Sequence, residues 1–364
     1  MKVLVAPLDW GLGHATRCVP VIREFLHQGA QVDLAVAPSF APLYREMFPE
    51  LKQVTAPSYN IVYPKHGFNM GLWLLKNSAH LNKVIAYEHH YAEEMVRLHG
   101  YDLLLSDNRF GFYSKKARSI YMTHQCRIAF PPLLSCLEGI GIRWHRSVMK
   151  HFDQVWIPDL EQGPGYAGML SHVDGIPVPA KFVGPLSRFS ELISGTGTAT
   201  ETGMQDLNVL AVVSGVEPAR SQFENSLKEV LAQVPGNHAV ILGKPAAGQK
   251  SWTEGNICFY NHLKTEEFAH MVGRARWVIS RGGYSTVMDM AVLGAQCIFV
   301  PTPGQYEQVA LARELSRKKY AVHIPAKKFG LQSLMQTMKT QVALPKPPRE
   351  NLLPLAVQEV LKKV

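Results

Sequence analysis

Residues 278–308 read VISRGGYSTVMDMAVLGAQCIFVPTPGQYEQ, and the order of their parts decides the fold. Trp277–Ile279 is an apolar run of strand length. Ser280-Arg281-Gly282-Gly283 follows as a turn. From Tyr284 to Leu293 the apolar residues Val287, Met288, Ala291 and Val292 fall at helical spacing, and Gly294 stands where a helix C-cap belongs. A second apolar run, Cys297–Val300, stops at Pro301. The pattern predicts strand, glycine turn, helix, strand, and then a Pro/Gly loop ending in Glu307-Gln308. A helix N-terminus carries unpaired backbone N–H groups and a partial positive charge. Glycines ahead of it let a diphosphate approach the backbone without meeting a Cβ. Ser285 and Thr286 add hydroxyls in the first turn, and Asp289, one turn on, suits ribose hydroxyls. An ordinary αβ connection would use the same paired glycines only to turn the chain.

The same alternation extends through the second half. Asn208–Val213, His238–Leu242 and Ile257–Tyr260 read as buried strands. The first of them runs into Ser214-Gly215 and a helix over Ser221–Leu231, a second glycine turn fit for a diphosphate. Arg220 either neutralises that diphosphate or is an exposed arginine at a helix start. Leu192–Asp206, with Gly195, Gly197, Gly203 and few large apolar residues, reads as a linker.

The first half opens on the strand Lys2–Ala6, followed by Pro7–Arg17, a helix over Ala15–His27 and the strand Gln31–Ala37. Gly11-x-Gly13 resembles the start of a dinucleotide fingerprint. Thr16 stands in place of its third glycine, and Asp33 lies inside the second strand, so an NAD enzyme is disfavoured. His14 suits a general base, because a neutral imidazole takes the proton of an attacking hydroxyl. It also suits a helix start that bonds a nearby carbonyl. The strand Tyr101–Leu105 delivers Ser106-Asp107-Asn108-Arg109 to the C-terminal edge of a parallel sheet. Asp107 there either orients His14, as a carboxylate does in a triad, or caps a helix. Arg17, one turn beyond His14, meets an acceptor phosphate or forms a surface pair. Thr123-His124-Gln125 ends the next strand, Ser119–Thr123.

Composition narrows the class. The chain has 364 residues, 46% of them hydrophobic, enough for two cored domains. A formal charge of +9 favours anionic partners, although no aromatic-interleaved basic motif points to nucleic acid. The five cysteines are scattered and form no CxxC pair, which fits a reduced cytoplasmic setting and neither a disulfide framework nor a zinc site. No leader-like segment or membrane-length apolar run is read. Two stretches mix basic with apolar residues, Pro64–Glu94 and Ile142–Phe152. The first reads as an acceptor mouth, a membrane-facing patch or a core helix with a solvated side; the second as a helix that lies on anionic lipid, holds a phosphate or is simply solvated.

The run SRGGYSTVMDMAVLGAQCIFVPTPGQYEQ resembles the donor signature of GT-B glycosyltransferases of the family 28 type, to which the lipid II-forming N-acetylglucosaminyltransferase belongs. The first loop, with His14 at its end, resembles the acceptor-facing loop of those enzymes. The resemblance implies an α/β fold of two Rossmann-like domains facing a cleft. Residues 1–190 would be the acceptor domain, 191–206 a linker and 207–345 the donor domain, with 346–364 a helix returning toward the first domain. It implies donor contacts from Ser214, Gly215, Arg220, Arg281, Gly282, Gly283, Ser285, Thr286, Asp289, Glu307 and Gln308. At Asp289 the family more often has Glu. Acceptor contacts would come from Gly11, Gly13, Arg17, Asn108, Arg109, His124 and Gln125, with His14 and Asp107 catalytic. The activity implied is inverting transfer of a hexosamine from a UDP-sugar, with no metal and no cofactor beyond that co-substrate. The acceptor would be a glycan or a lipid-linked molecule of the cell envelope, met in the cytoplasm or at the inner face of the cytoplasmic membrane. A GT-B nucleotide-sugar hydrolase, a 2-epimerase and a non-catalytic nucleotide- or glycan-binding protein remain as alternatives.

Overall fold

A computed structural model describes residues 1–59, 78–128, 138–162, 165–195, 206–215, 217–244, 250–347 and 352–362. The aromatic and basic part of Pro64–Glu94 that precedes residue 78 lies outside them. The chain divides into two units, changing at Ser187/Arg188 and again after Pro347, with the C-terminal helix belonging to the first unit.

The first unit runs β1 (Lys2–Pro7), α1 (Leu12–His27), β2 (Gln31–Val36), α2 (Ala41–Met47), β3 (Gln53–Thr55), α3 (Ser78–His99), β4 (Leu103–Asp107), β5 (Arg118–Met122), α4 (Glu138–Met149), β6 (Gln154–Ile157) and β7 (Ala180–Phe182). Its strands form one sheet in the order β3-β2-β1-β4-β5-β6-β7, with every pairing parallel. Parallel strands covered on both faces are apolar throughout, which is why Val3–Ala6 and Leu103–Leu105 are buried without alternation. Strand order reverses between β1 and β4. Their following loops therefore part at the C-terminal edge, where open α/β sheets hold ligands.

The second unit contains α5 (Ser190–Gly195), β8 (Leu207–Val212), α6 (Ala219–Leu231), β9 (His238–Ile241), β10 (Ser251–Glu254), β11 (Ile257–Tyr260), α7 (Thr265–Arg274), β12 (Ala275–Ser280), α8 (Tyr284–Leu293), β13 (Cys297–Phe299), α9 (Tyr306–Arg317), β14 (Val322–His323) and α10 (Leu331–Thr337). The sheet order is β10-β11-β9-β8-β12-β13-β14. Only β10 runs antiparallel, against β11. The order reverses between β8 and β12, so the loops after Val212 and Ser280 part in the same way. Trp277, Ile279, Val209, Phe259 and Phe223 pack in one core beneath them.

The helix α11 (Leu352–Lys362) completes the first unit. Leu353, Ala356, Val357 and Val360 are buried on it. Gln28 donates to the Pro354 carbonyl at 2.9 Å, Arg118 to that of Val360 at 3.4 Å, and Lys181 pairs with Glu359.

Two expectations about element ends change. α1 begins at Leu12, not Ala15, so Gly13 and His14 lie inside its first turn. Gly11 is the N-cap at φ +154, and no capping side chain marks the start. α9 begins at Tyr306, so Glu307 and Gln308 sit in a helical first turn and not in the loop. The linker expectation is also shorter, because Ser190–Gly195 is helical.

Candidate functional site

In the first unit, α1 brings His14 and the end of β4 brings Asp107 to one place. His14 Nδ1 lies 3.0 Å from Asp107 Oδ2, with 18% of the His14 side chain exposed and Asp107 fully buried. The register that pairs Pro7 with Asp107 fixes the spacing, and the Leu8 N–H donates to the Asp107 carbonyl at 3.1 Å. Burial works to raise the Asp107 carboxyl. The Arg17 guanidinium and then His14 outweigh it and hold the carboxyl below the usual carboxylate range.

Arg17 does not present itself to an acceptor or form a surface pair. Its guanidinium is buried: Nε and Nη2 donate to Asp107 Oδ1, the former at 2.8 Å. Nη1 lies 2.9 Å from His124 Nδ1, and Nη2 lies 2.9 Å from His14 Nδ1. His124 is therefore buried behind Arg17.

Arg109 is likewise removed from an acceptor. It is fully buried, with Nε on Glu88 Oε1 at 2.6 Å, Nη1 on the Pro7 carbonyl at 3.1 Å and Nη2 on that of Pro57. Tyr59 and the Gly111 N–H donate to Glu88 Oε2, the latter at 2.8 Å. This buried pair ties the loops after β1 and β4 together. No helix follows β4 directly, so Ser106, Asp107 and Asn108 cap none; Ser106 Oγ instead bonds Arg109 in a local turn. Asn108 takes a left-handed conformation at φ +57 and accepts from Tyr121 Oη at 3.3 Å. The Tyr121 hydroxyl also lies 3.0 Å from His145 Nε2. Burial lowers the His145 imidazole to about 4. Gln125 is partly exposed beside Thr123, and Gly11 is exposed.

In the second unit, β12, the turn Arg281–Gly283 and α8 stand as the sequence reading has them. Gly294 is the C-cap at φ +69, and Val287, Met288 and Ala291 are buried. The two glycines differ. Gly282 has φ +72, and a Cβ there would come within 2.9 Å of the Phe299 ring. Gly283 is the N-cap at φ −64, and a Cβ there meets nothing within 4 Å among the described residues. Gly282 thus makes the turn, and Gly283 faces open space at the helix N-terminus. Ser285, Thr286 and Asp289 are partly exposed on α8. Ser214 and Gly215 are exposed at the end of β8, Gly215 at φ +108.

Three expected donor contacts are internal instead. Arg281 is buried and donates to the Val300 carbonyl at 3.2 Å and the Ala219 carbonyl at 2.6 Å, with the guanidinium 4.0 Å from the Phe223 ring centre. Burial holds it down to about 10. Arg220 is buried as well, shared among Glu217, Glu224 and the Leu242 carbonyl. It is not an exposed arginine at a helix start, and its guanidinium is engaged by these partners. Gln308 accepts from the Thr302 N–H at 2.8 Å and donates to Gln305, which braces the loop before α9.

Sequence reading missed two hydroxyls. Ser280 Oγ and Thr302 Oγ1 are buried with no hydrogen-bond partner among the described residues, and Thr302 Oγ1 lies 4.0 Å from where a Gly215 Cβ would stand. Ser280 ends the apolar strand β12, and Thr302 stands in the loop just after β13, positions that could have drawn attention to them. No group of three or more His, Cys, Asp or Glu side chains among the described residues is placed to hold a metal ion. Cys18, Cys126, Cys258 and Cys297 are free thiols.

Residues 243–352 match the sequence model of the glycosyltransferase family 28 C-terminal domain. That segment contains the whole strand–glycine–helix–strand run. Solved structures resemble the chain over nearly all its length. The calicheamicin glycosyltransferase CalG4 aligns at a TM-score of 0.62 and 14% identity, over 98% of this chain and 92% of its own. MurG of Acinetobacter baumannii aligns at 0.57 and 14%, over 99% of each. The spinosyn rhamnosyltransferase SpnG complexed with thymidine diphosphate aligns at 0.60 and 14%, over 99% and 95%. No curated protein matches the chain significantly in sequence. The fold is that of the GT-B glycosyltransferases. The likeness to glycosyltransferase family 28 in sequence lies in residues 243–352, and the rest of the chain shares the fold alone.

Proposed function

We propose that the protein is an inverting, metal-independent glycosyltransferase of hexosyl type. It moves a hexosamine such as N-acetylglucosamine from a UDP-sugar to an acceptor hydroxyl. The observation that carries this reading is the turn at Gly282-Gly283, with Gly283 open at the N-terminus of α8, inside the family 28 segment. Backbone N–H groups there suit the diphosphate, helped by the hydroxyls of Ser214, Ser285 and Thr286. Asp289 would hold the ribose and Glu307 the sugar hydroxyls. That a rhamnosyltransferase of the same fold takes up thymidine diphosphate supports a nucleoside diphosphate as leaving group.

His14 takes the acceptor proton at Nε2 while Asp107 holds Nδ1. The acceptor oxygen bonds to the anomeric carbon on the face opposite the diphosphate. The bond from that carbon to the diphosphate oxygen breaks, the electron pair leaves with the diphosphate, and the configuration inverts. Gly11, Gly13, Asn108 and Gln125 remain as acceptor contacts. The acceptor is a glycan or lipid-linked molecule of the cell envelope. The protein works in the cytoplasm, at times on an anionic inner membrane surface, for which exposed Ile140 and Arg143 of α4 and Lys150 just after it are suited. No helix among the described residues is long and apolar enough to cross a membrane.

The test is a thermal-shift panel of UDP, GDP, dTDP, ADP and their sugars, with and without EDTA, followed by product analysis. A rise with one diphosphate that survives EDTA and disappears in Asp289→Ala supports the donor site. Free sugar as the sole product with every acceptor tried would move the reading to hydrolysis, and an epimerised donor would move it to a 2-epimerase. No shift with any nucleotide would overturn the donor assignment.

A further inference from the structure

His14 Nδ1 has two neighbours that ask opposite things of it. Asp107 Oδ2, at 3.0 Å, can only accept a hydrogen bond, and Arg17 Nη2, at 2.9 Å, can only donate one. A protonated Nδ1 satisfies Asp107 and leaves the lone pair on Nε2. A bare Nδ1 satisfies Arg17 and places the hydrogen on Nε2. Only the first form can take a proton at Nε2.

The rest of the cluster decides between them. Arg17 gives both Nε and Nη2 to Asp107 Oδ1 and so holds the carboxylate from one side. Its Nη1 reaches His124 Nδ1 at 2.9 Å, which must then accept, so His124 carries its hydrogen on Nε2 and is neutral. Anchored at both ends, the guanidinium turns Asp107 Oδ2 toward His14. A buried carboxylate that loses its imidazole donor and keeps, beside Arg17, only the weak donor of the Cys18 thiol costs more than a guanidinium Nη2 that already donates to Asp107 Oδ1. We infer that Arg17, anchored on His124, is a positioning residue that makes Asp107 select the Nδ1–H tautomer of His14, so that Nε2 is the basic atom. This rests on the reading of His14 as the base.

The titratable groups around His14 and Asp107 are Arg17 and Cys18 on α1, Tyr44 on α2, Tyr121 on β5 and His124 beyond it. Burial pushes Cys18, Tyr44 and Tyr121 up, which keeps them neutral. Asp107 and Arg17 are the opposed charges of the cluster.

The experiment uses the full chain labelled with [15N]histidine. Two-bond proton–nitrogen correlations report the tautomer, and His14 is assigned by the signal lost in His14→Gln. The parent should show Nδ1–H. Arg17→Met should mix the tautomers. Arg17→Lys keeps the charge without the fork, so the tautomers should mix there too. An Nε2–H tautomer in the parent would overturn the inference, as would Arg17 variants unchanged in tautomer. If Arg17→Met does not fold, the parent tautomer and Arg17→Lys decide. Nucleotide release from UDP-N-acetylglucosamine separates the two claims. Full turnover in His14→Ala removes the base reading. Lost turnover in His14→Ala with Arg17 variants spectroscopically unchanged removes only the role of Arg17.

Discussion

The two glycines before α8 should respond oppositely to the same added methyl. In Gly282→Ala the new Cβ occupies a backbone at φ +72 and comes within 2.9 Å of the buried Phe299 ring. The left-handed conformation costs a non-glycine residue roughly 1–2 kcal/mol, and forcing a methyl into a filled core adds roughly 1–3 kcal/mol. A loss of about 3 kcal/mol should lower Tm by on the order of 10 °C for a unit of this size. In Gly283→Ala the backbone, at φ −64 and ψ 151, suits alanine, and the methyl points into open space. Its stability should stay within about 1 kcal/mol of the parent. If the diphosphate occupies that space, Gly283→Ala should weaken binding of the preferred nucleotide at least about tenfold, or about 1.4 kcal/mol. Calorimetric unfolding gives the first quantity and isothermal titration with the nucleotide gives the second. Parent-like nucleotide affinity in Gly283→Ala and also in the larger Gly283→Val would refute the placement of the diphosphate at this helix end.

The buried Glu88–Arg109 pair should be costly to break from one side: Glu88→Gln is expected to lose roughly 3–5 kcal/mol in urea unfolding, because the guanidinium is left without its carboxylate. His145 is held neutral by burial, at about 4 against an ordinary 6.5. The unfolded chain therefore binds one more proton between those values, and stability should fall as pH drops from about 6.5 to 4, by on the order of 3 kcal/mol in all. Urea midpoints across that range check it, and His145→Gln should flatten the slope. Asp107 acts lower on the scale: its folded carboxyl is depressed, so its contribution is complete above the unfolded value of about 3.9 and is lost as pH falls below it. Asp107→Asn should remove that acid limb and slow sugar transfer by a factor on the order of 100 or more, read as kcat at saturating donor. Leu353→Ala on α11 should cost about 3 kcal/mol and lower the melting of the first unit, followed by hydrogen exchange in β1 and β4.

Both sheets were legible because parallel strands covered on two faces are written as unbroken apolar runs, and Trp277–Ile279 or Val3–Ala6 admit few other readings. The turn at Gly282-Gly283 and the cap at Gly294 were legible for the same local reason: their residue types answer to backbone geometry within a few positions. The four arginines show where this stops. Arg17, Arg109, Arg220 and Arg281 all stand beside site loops, and each was read as exposed or as a ligand contact. Each is buried, on partners that lie far along the chain: Asp107 for Arg17, Glu88 for Arg109, Leu242 for Arg220 and Ala219 for Arg281. Nothing near an arginine says whether a distant carboxylate or carbonyl will receive it. The start of α1 was missed for a related reason, since Gly11 leaves no capping side chain to read. The pairing of His14 with Asp107 could be anticipated, because one follows β1 and the other ends its neighbour β4 on the same edge of the sheet.

The return of α11 to the first unit has a bearing on how the chain is made. The second unit draws nearly all of its residues from one stretch, Arg188–Pro347, whereas the first draws on residues from both flanks of that stretch. During synthesis, the second unit can complete its sheet as soon as it leaves the ribosome. The first unit, although translated earlier, waits for Leu353, Val357 and Val360 to cover its remaining apolar surface. A ribosome stalled near residue 347 would release a chain whose first unit lacks that cover.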